Sequence, residues 1–313
     1  MGQAFKYSNW KWLHYNHEEE LDMKIAPPFQ EVFKIWIDSL QDSETNVLTI
    51  DSTKRNAESV RGSLIYQQTI DEQRENRIFH YFITENSLYT VGFDLEAIDV
   101  IEEDTLMKKM EHAHNGIEGF FVLLGEILSY SIKKIDQFEI RLNDLLWKVK
   151  KKNSIKRLEE IYKLRHELLV WKNLMIPIKE LEIGLNEAFG SEESNLPEYK
   201  RVCNRIKRGS MLIQEYQDEI NTLVNFEEMV STHRGNEIMK TLTVITTLFT
   251  PVSAWGALWG MNFKLMPELD WKLGYPLSLL IIIGSTAALY ILLIKKGWMG
   301  DILKGRKKNS FFK

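Results

Sequence analysis

Between Asn236 and Gly260 the small and hydroxyl-bearing residues fall in a fixed rhythm. Asn236, Met239, Thr243, Thr246, Thr250, Ser253, Ala257 and Gly260 are separated by 3, 4, 3, 4, 3, 4 and 3 positions, the spacing that keeps side chains on one face of a helix. Such a stripe has two uses. Small residues let helices approach closely in an apolar medium, each Thr hydroxyl bonding its own helix's carbonyl. Repeated in several copies, the same oxygens line a water-filled pore. The stripe is compatible with both, and it ends on Gly260-Met261-Asn262, which adds one more amide just past the helix.

Other chemistry-bearing groups are fewer. Glu111-His112-Ala113-His114 with Glu118 collects carboxylates and imidazoles, the cluster a membrane-anchored metalloenzyme would need. Histidines two apart point to different faces of a helix, however, and no HExxH or cysteine set accompanies them. No GxGxxG or P-loop occurs, so neither a dinucleotide site nor ATP-driven pumping is supported. The chain is read as a non-enzyme with no organic cofactor. The single cysteine, Cys203, excludes an internal disulfide framework and fits a reducing compartment. A net charge of -4 leaves no basic excess for nucleic acid.

The elements that must position the stripe follow from the distribution of charge. Lys240 and Lys264 bracket 23 uncharged residues, and Lys272 and Lys295 bracket 22 more. About 20 apolar residues suffice to cross a bilayer core, so two spans are expected, 238–260 and 275–294, with a loop at 261–274. The second is the more uniformly apolar and is placed outside the first, facing lipid. The tail, 295–313, carries Lys295, Lys296, Lys304, Arg306, Lys307, Lys308 and Lys313, which by the positive-inside rule places it in the cytosol. Two spans return the N-terminal body to that side, and its first residues, MGQAFKYSNW, lack an apolar signal core. A multi-pass protein of the plasma membrane with both termini cytosolic is expected.

The body at 1–195 reads as α+β. Arg77 to Thr84 and Ser87 to Phe93 are β-rich runs joined by Glu85-Asn86 and predict a hairpin, Ser63 to Ile70 a third strand, and Phe29 to Leu40 a short helix. Ile117 to Lys150 and Ser154 to Phe189 predict an antiparallel helix pair with a kink at Pro177. After the break at Gly190 to Pro197, one helix is expected from about Pro197 to Gly260, its stalk portion occupying 196–237. At 1.5 Å per residue it is about 95 Å long. Such a helix needs neighbours, which implies a bundle and an oligomer.

Gly260-Met261-Asn262 directly after an apolar helix, then Met266-Pro267-Glu268-Leu269, Trp271, a second span and a Lys-rich tail, together resemble the CorA family of magnesium transporters. The close resemblance covers roughly Asn236 to Met299. It implies a funnel-shaped homopentamer with the first spans around a central pore, the second spans outside, and long stalk helices descending into α/β cytosolic domains. The implied cargo is Mg2+, with Co2+ and Ni2+ secondary. Gly260, Met261 and Asn262 then form the selectivity filter, the Asn262 ring holding hydrated Mg2+, and the pore follows Asn236, Met239, Leu242, Thr246, Thr250 and Ser253, with Met239 and Leu242 as an apolar gate.

This sequence departs from the family in three places. Thr250 stands where members can carry a bulky apolar residue, so the gate is concentrated at Met239 and Leu242. Lys264 and Lys272 cancel the loop acids Glu268 and Asp270, weakening electrostatic steering of cations. Family members close when cytosolic Mg2+ bridges acids between subunits, yet Asn225 occupies one such stalk position. Asp94, Glu215, Asp218, Glu219, Glu227 and Glu228 are the candidate replacements, and Mg2+ feedback is expected to be weaker. The alternatives are a zinc transporter of the same superfamily and a non-conducting scaffold anchored by the hairpin. Partners are further copies of the chain, the lipid bilayer and divalent cations.

Overall fold

The computed structural model describes residues 2–21, 25–41, 43–54, 57–69, 76–94, 103–151, 155–190, 196–262, 264 and 266–298. They form two compact units, Met1–Trp147 with Ser154–Thr222, and Lys148–Asn153 with Leu223–Lys313.

In the first unit β5 (Asn76–Thr84) decides the architecture. From Phe79 to Thr84 every residue is buried, and a strand buried on both faces belongs inside a sheet covered on both sides. It lies between β4 (Ser59–Gln68) and β6 (Ser87–Val91). With β1 (Gln3–Lys6), β2 (Lys11–Tyr15) and β3 (Val47–Asp51) the sheet runs β1-β2-β6-β5-β4-β3. Neighbours are antiparallel except β2 and β6, which are parallel. The expected hairpin forms with Thr84 opposite Ser87 across Glu85-Asn86. β1, β2 and β3 were not anticipated: each has at most five residues, and Lys11 and His14 interrupt the apolar content of β2.

Alternate residues of β5 serve different layers, as a period of two requires. Phe82 meets Phe33 and Trp36 of α1 (Gln30–Ser39) at ring-centroid distances of 5.0 and 5.6 Å. Tyr81 meets Phe120 of α3 (Gly116–Lys151) at 5.1 Å. One helix therefore covers one face and the long helices the other. Tyr81 also donates to the Val47 carbonyl at 2.9 Å, over Gly62, where a Cβ would come within 1.8 Å of that oxygen. Truncating Phe82 to Ala would cost about 3–5 kcal/mol, the range for a buried aromatic.

α2 (Glu103–His112) precedes α3, and α4 (Ile155–Phe189) follows it, passing through Pro177 as one helix. α4 lies against the sheet where Gly184 leaves room for Leu48 and Ile50 of β3. Arg141 of α3 pairs with Glu167 of α4. α5 (Pro197–Trp259) is a single helix of 63 residues with Pro at its first position, where the missing N–H costs nothing. In the first unit it packs by Phe121 on Tyr199 and Phe138 on Tyr216, with ring centroids 5.1 and 5.8 Å apart. In the second unit it is followed by the short α6 (Pro267–Asp270) and by α7 (Gly274–Lys295).

Candidate functional site

The stripe occupies one face of α5, as its spacing requires. Asn236, Met239, Leu242, Thr246, Thr250, Ser253, Ala257 and Gly260 are all exposed in the single chain, and Thr243 is half-buried. Every residue from Ser231 to Met239 is exposed as well. The described residues therefore give that stretch little tertiary support, and a helix that packs on nothing is marginal on its own.

The threonine hydroxyls bond inward. Thr243 donates to the Met239 carbonyl at 2.8 Å, Thr246 to Leu242 and Thr243 at 3.0 Å, and Thr250 to Thr246 at 2.8 Å. The packing reading of the sequence anticipated these bonds, and they also bear on the pore reading. A hydroxyl that spends its one proton on its own helix presents only lone pairs outward. The water shell of a cation points its hydrogens outward, so a wall of acceptors is what it needs.

The helix is closed by Gly260, whose N–H donates to the Gly256 carbonyl at 3.0 Å, while Met261 donates to Leu258 at 3.4 Å. A Cβ at Gly260 would lie 2.9 Å from that same Gly256 oxygen. The chain thus leaves the helix at a residue without a side chain and presents Met261 and Asn262 exposed beyond it. Asp270 is exposed at the end of α6; Glu268 lies within α6, and its side chain falls outside the described residues.

Among the described residues two helices, α5 and α7, are long and apolar enough to cross a membrane. They meet through Val244 and Leu293, both buried, with Leu248 against them. α7 ends on a left-handed Gly297 (φ 72°), with Gly297 N–H bonded to Ile294 and Trp298 N–H to Leu293 at 2.9 and 3.0 Å. These two bonds form a Schellman cap. Its Gly297 carbonyl accepts from the Lys240 ammonium at 3.3 Å, a link that sequence spacing gave no means of finding. Trp255 and Trp259 stack at 5.3 Å near the loop end of α5, where interfacial aromatics belong.

The candidate regulatory acids separate. Asp94 is held by Arg77 at 2.5 Å. Glu215, Asp218, Glu219 and Glu228 are exposed on α5, Asp218 accepting from Gln214 at 3.3 Å. Glu227 differs: it is 7% exposed, and its Oε1 has no hydrogen-bond partner among the described residues. Among those residues no three His, Cys, Asp or Glu side chains come together in a metal-binding group.

The histidine cluster has a structural role. Asn115 caps α3 by accepting the Glu118 N–H at 2.8 Å, and Glu118, 2% exposed, accepts from both the N–H and the ring of His114 at 2.8 and 2.7 Å. This is a capping box in which the acid reaches back beyond the cap. His112 bonds the Lys108 carbonyl instead.

Comparison with known proteins gives the same direction. The family model described as "CorA-like Mg2+ transporter protein" matches residues 7–296. The magnesium transport protein CorA of Bacillus subtilis is 43% identical over 310 residues, 98% of this chain and 97% of that one. The cobalt/magnesium transport protein CorA of Thermotoga maritima is 25% identical over 182 residues, 58% of this chain and 48% of that one. The complete structure of the CorA magnesium transporter from Methanocaldococcus jannaschii is similar in fold, with a TM-score of 0.58 at 18% identity, covering 93% of this chain and 92% of that one.

Proposed function

Since the chain belongs to the CorA-like Mg2+ transporter family, we propose that it is a passive Mg2+ channel of the plasma membrane, built from several copies whose α5 helices surround one pore. The carrying observation is the exposed stripe of α5, with its inward-bonded threonines, leading to Gly260, Met261 and Asn262. In this reading the spans are 238–260 and 275–294, the loop 261–274 lies outside, and both termini are cytosolic. A homopentamer is the assembly adopted.

Magnesium gives up its water slowly, so capturing the hydrated ion avoids the cost of stripping it. A ring of Asn262 amide oxygens accepts hydrogen bonds from that water. Neutral oxygens hold the ion weakly enough to release it, as conduction requires. Thr250 and Ser253 continue the acceptor wall, and Thr246 hands the ion toward the apolar constriction at Met239 and Leu242, which gates by dewetting. Asn236 receives the ion on the cytosolic side. The driving force is the membrane potential, about 4.6 kcal/mol per 100 mV for a divalent ion. Co2+ is a secondary cargo, supported by the cobalt/magnesium name of the Thermotoga maritima relative, and Ni2+ is placed with it on shared charge and octahedral hydration. Cytosolic Mg2+ acts as a weak feedback ligand, with Glu227 the acid most in need of a cation.

The test is Mg2+ uptake into liposomes loaded with a magnesium-sensitive dye, with Asn262→Ala alongside and Zn2+ as competitor. Uptake in the parent that is lost in the variant supports the reading. Zn2+ uptake without Mg2+ would move the cargo to zinc, and no flux of either ion from folded oligomers would leave a scaffold.

A further inference from the structure

Two helix faces of the first unit carry apolar side chains in the open. On α4, Tyr162, Leu169, Ile176 and Ile183 recur every seven residues and are 48% to 55% exposed. Beside this column runs a second one of the same period, Arg165, Lys172 and Lys179, all exposed. On α3, Ile140 and Trp147 are likewise seven apart and are 71% and 64% exposed. Asp136 and Asp144, exposed four residues to either side of Ile140, are acids among neutral and basic neighbours.

An apolar column beside a column of one charge sign is the pattern of a helix-pairing seam. The basic column of α4 and the acids Asp136 and Asp144 of α3 carry opposite charge, so the two faces complement each other. The heights also agree. Arg141 pairs with Glu167, so in the antiparallel pair Ile140 is level with Leu169, Asp136 with Lys172, Asp144 with Arg165, and Trp147 with Tyr162. A rotation axis running along the helices keeps these levels from one copy to the next. We propose that the α4 face of one copy docks on the α3 face of the next, with Leu169 against Ile140 and Lys172 near Asp136. The contact joins two different surfaces, so it repeats head to tail and closes into a ring. It would hold the cytosolic bodies together independently of the membrane helices. The inference rests on the oligomeric reading above and adds the surface that makes the oligomer.

The test uses the full-length chain in membranes with Cys203→Ser as background. Leu169→Cys is introduced in a chain with one tag and Ile140→Cys in a chain with another, and the two are co-expressed and oxidised. A disulfide-linked dimer carrying both tags is expected, its yield lowered by Lys172→Glu in the first chain and restored by Asp136→Lys in the second. Thr246→Cys chains, cross-linked through α5, are the reference. If they form dimers while the mixed-tag band is absent, or only same-tag Leu169→Cys dimers appear, the docking surface is wrong and the oligomer stands. If neither pair cross-links, the oligomeric reading falls with it.

Discussion

The ammonium of Lys240, at the start of the apolar part of α5, donates to the carbonyl oxygen of Gly297, just past the end of α7, at 3.3 Å. The bond brings together the two chain ends that a two-span hairpin must leave on the same side of the bilayer. It depends on the Schellman cap, because Gly297 presents its carbonyl from a left-handed conformation with φ 72°. In that region an L side chain costs roughly 1–2 kcal/mol. Gly297→Ala should therefore lower the melting temperature of the detergent-solubilised protein by about 2–4 °C for each kcal/mol lost. An unchanged melting curve would show that the cap contributes nothing.

Thr250 tests the acceptor wall. Its hydroxyl bonds the Thr246 carbonyl at 2.8 Å, so its outward contribution is lone pairs alone. Thr250→Val keeps the shape and removes them, while Thr250→Ser keeps both hydroxyl and bond. Losing one acceptor for a hydrated ion at about 0.5–1.5 kcal/mol predicts Mg2+ uptake slowed by about twofold to twelvefold in the valine variant and near normal in the serine variant. Equal rates in all three proteins would reduce the stripe to a packing surface.

What was legible in the sequence was whatever depends on local period. The rhythm from Asn236 to Gly260 and the lack of any proline between Pro197 and Pro251 placed α5 to within one residue at its end, Trp259 against the expected Gly260, and the helix runs on through Pro251. The hairpin of β5 and β6 was visible because its runs are rich in aromatic and β-branched residues. β2 was not: its pairing with β6 is parallel and links Lys11 with Ser87, a long-range match with no local signature. The same holds for Lys240 and Gly297. The burial of Glu227 was equally invisible, since a Glu-Glu pair on a helix reads as solvated charge. The role given to Asn262 is a proposal carried by its motif; in the single chain it is exposed like its neighbours Gly260 and Met261.

The sheet carries two buried histidines that set an acid limit. His14 bonds Thr90 at 3.0 Å and His80 bonds Ser63 at 2.6 Å. Burial pushes both below the usual imidazole value, against a smaller opposing effect of Asn16 on His14. Above about pH 6.5 both folded and unfolded chains hold these rings neutral. As the pH falls below that value the unfolded chain takes up protons that the folded one refuses, so stability drops, by at most about 1.4 kcal/mol per pH unit for each ring. Denaturant midpoints measured at pH 7.5 and 5.5 should fall on acidification, and less so in His80→Gln. Identical pH slopes in the two proteins would remove His80 from the account.

Cys203 should be a slow thiol. It donates to Glu182 Oε1 at 3.3 Å, and burial first, then the Glu182 carboxylate, push its pKa up to about 11, with Tyr199 opposing. The thiolate is the reactive form, so maleimide labelling at pH 7.5 should lag well behind a free cysteine and accelerate in Glu182→Gln. Labelling of the folded protein at the rate of a free thiol would contradict the geometry.

Glu227 separates regulation from bulk acidity. Its Oε1 is buried without a hydrogen-bond partner among the described residues, and leaving such a group unsatisfied costs about 1–3 kcal/mol, more when it is charged. Glu227→Gln removes the charge and keeps the volume, so without Mg2+ the variant should melt higher than the parent. A cation that answers the carboxylate stabilises only the folded chain, by an amount that grows with its concentration over its dissociation constant. Millimolar Mg2+ should therefore raise the melting temperature of the parent and of Glu228→Gln, whose side chain is exposed, and leave Glu227→Gln nearly unmoved. The variant's gain without Mg2+ and its loss of response have one cause, an uncompensated charge, so they must appear together. A full Mg2+ shift in Glu227→Gln would assign the feedback to other acids of α5.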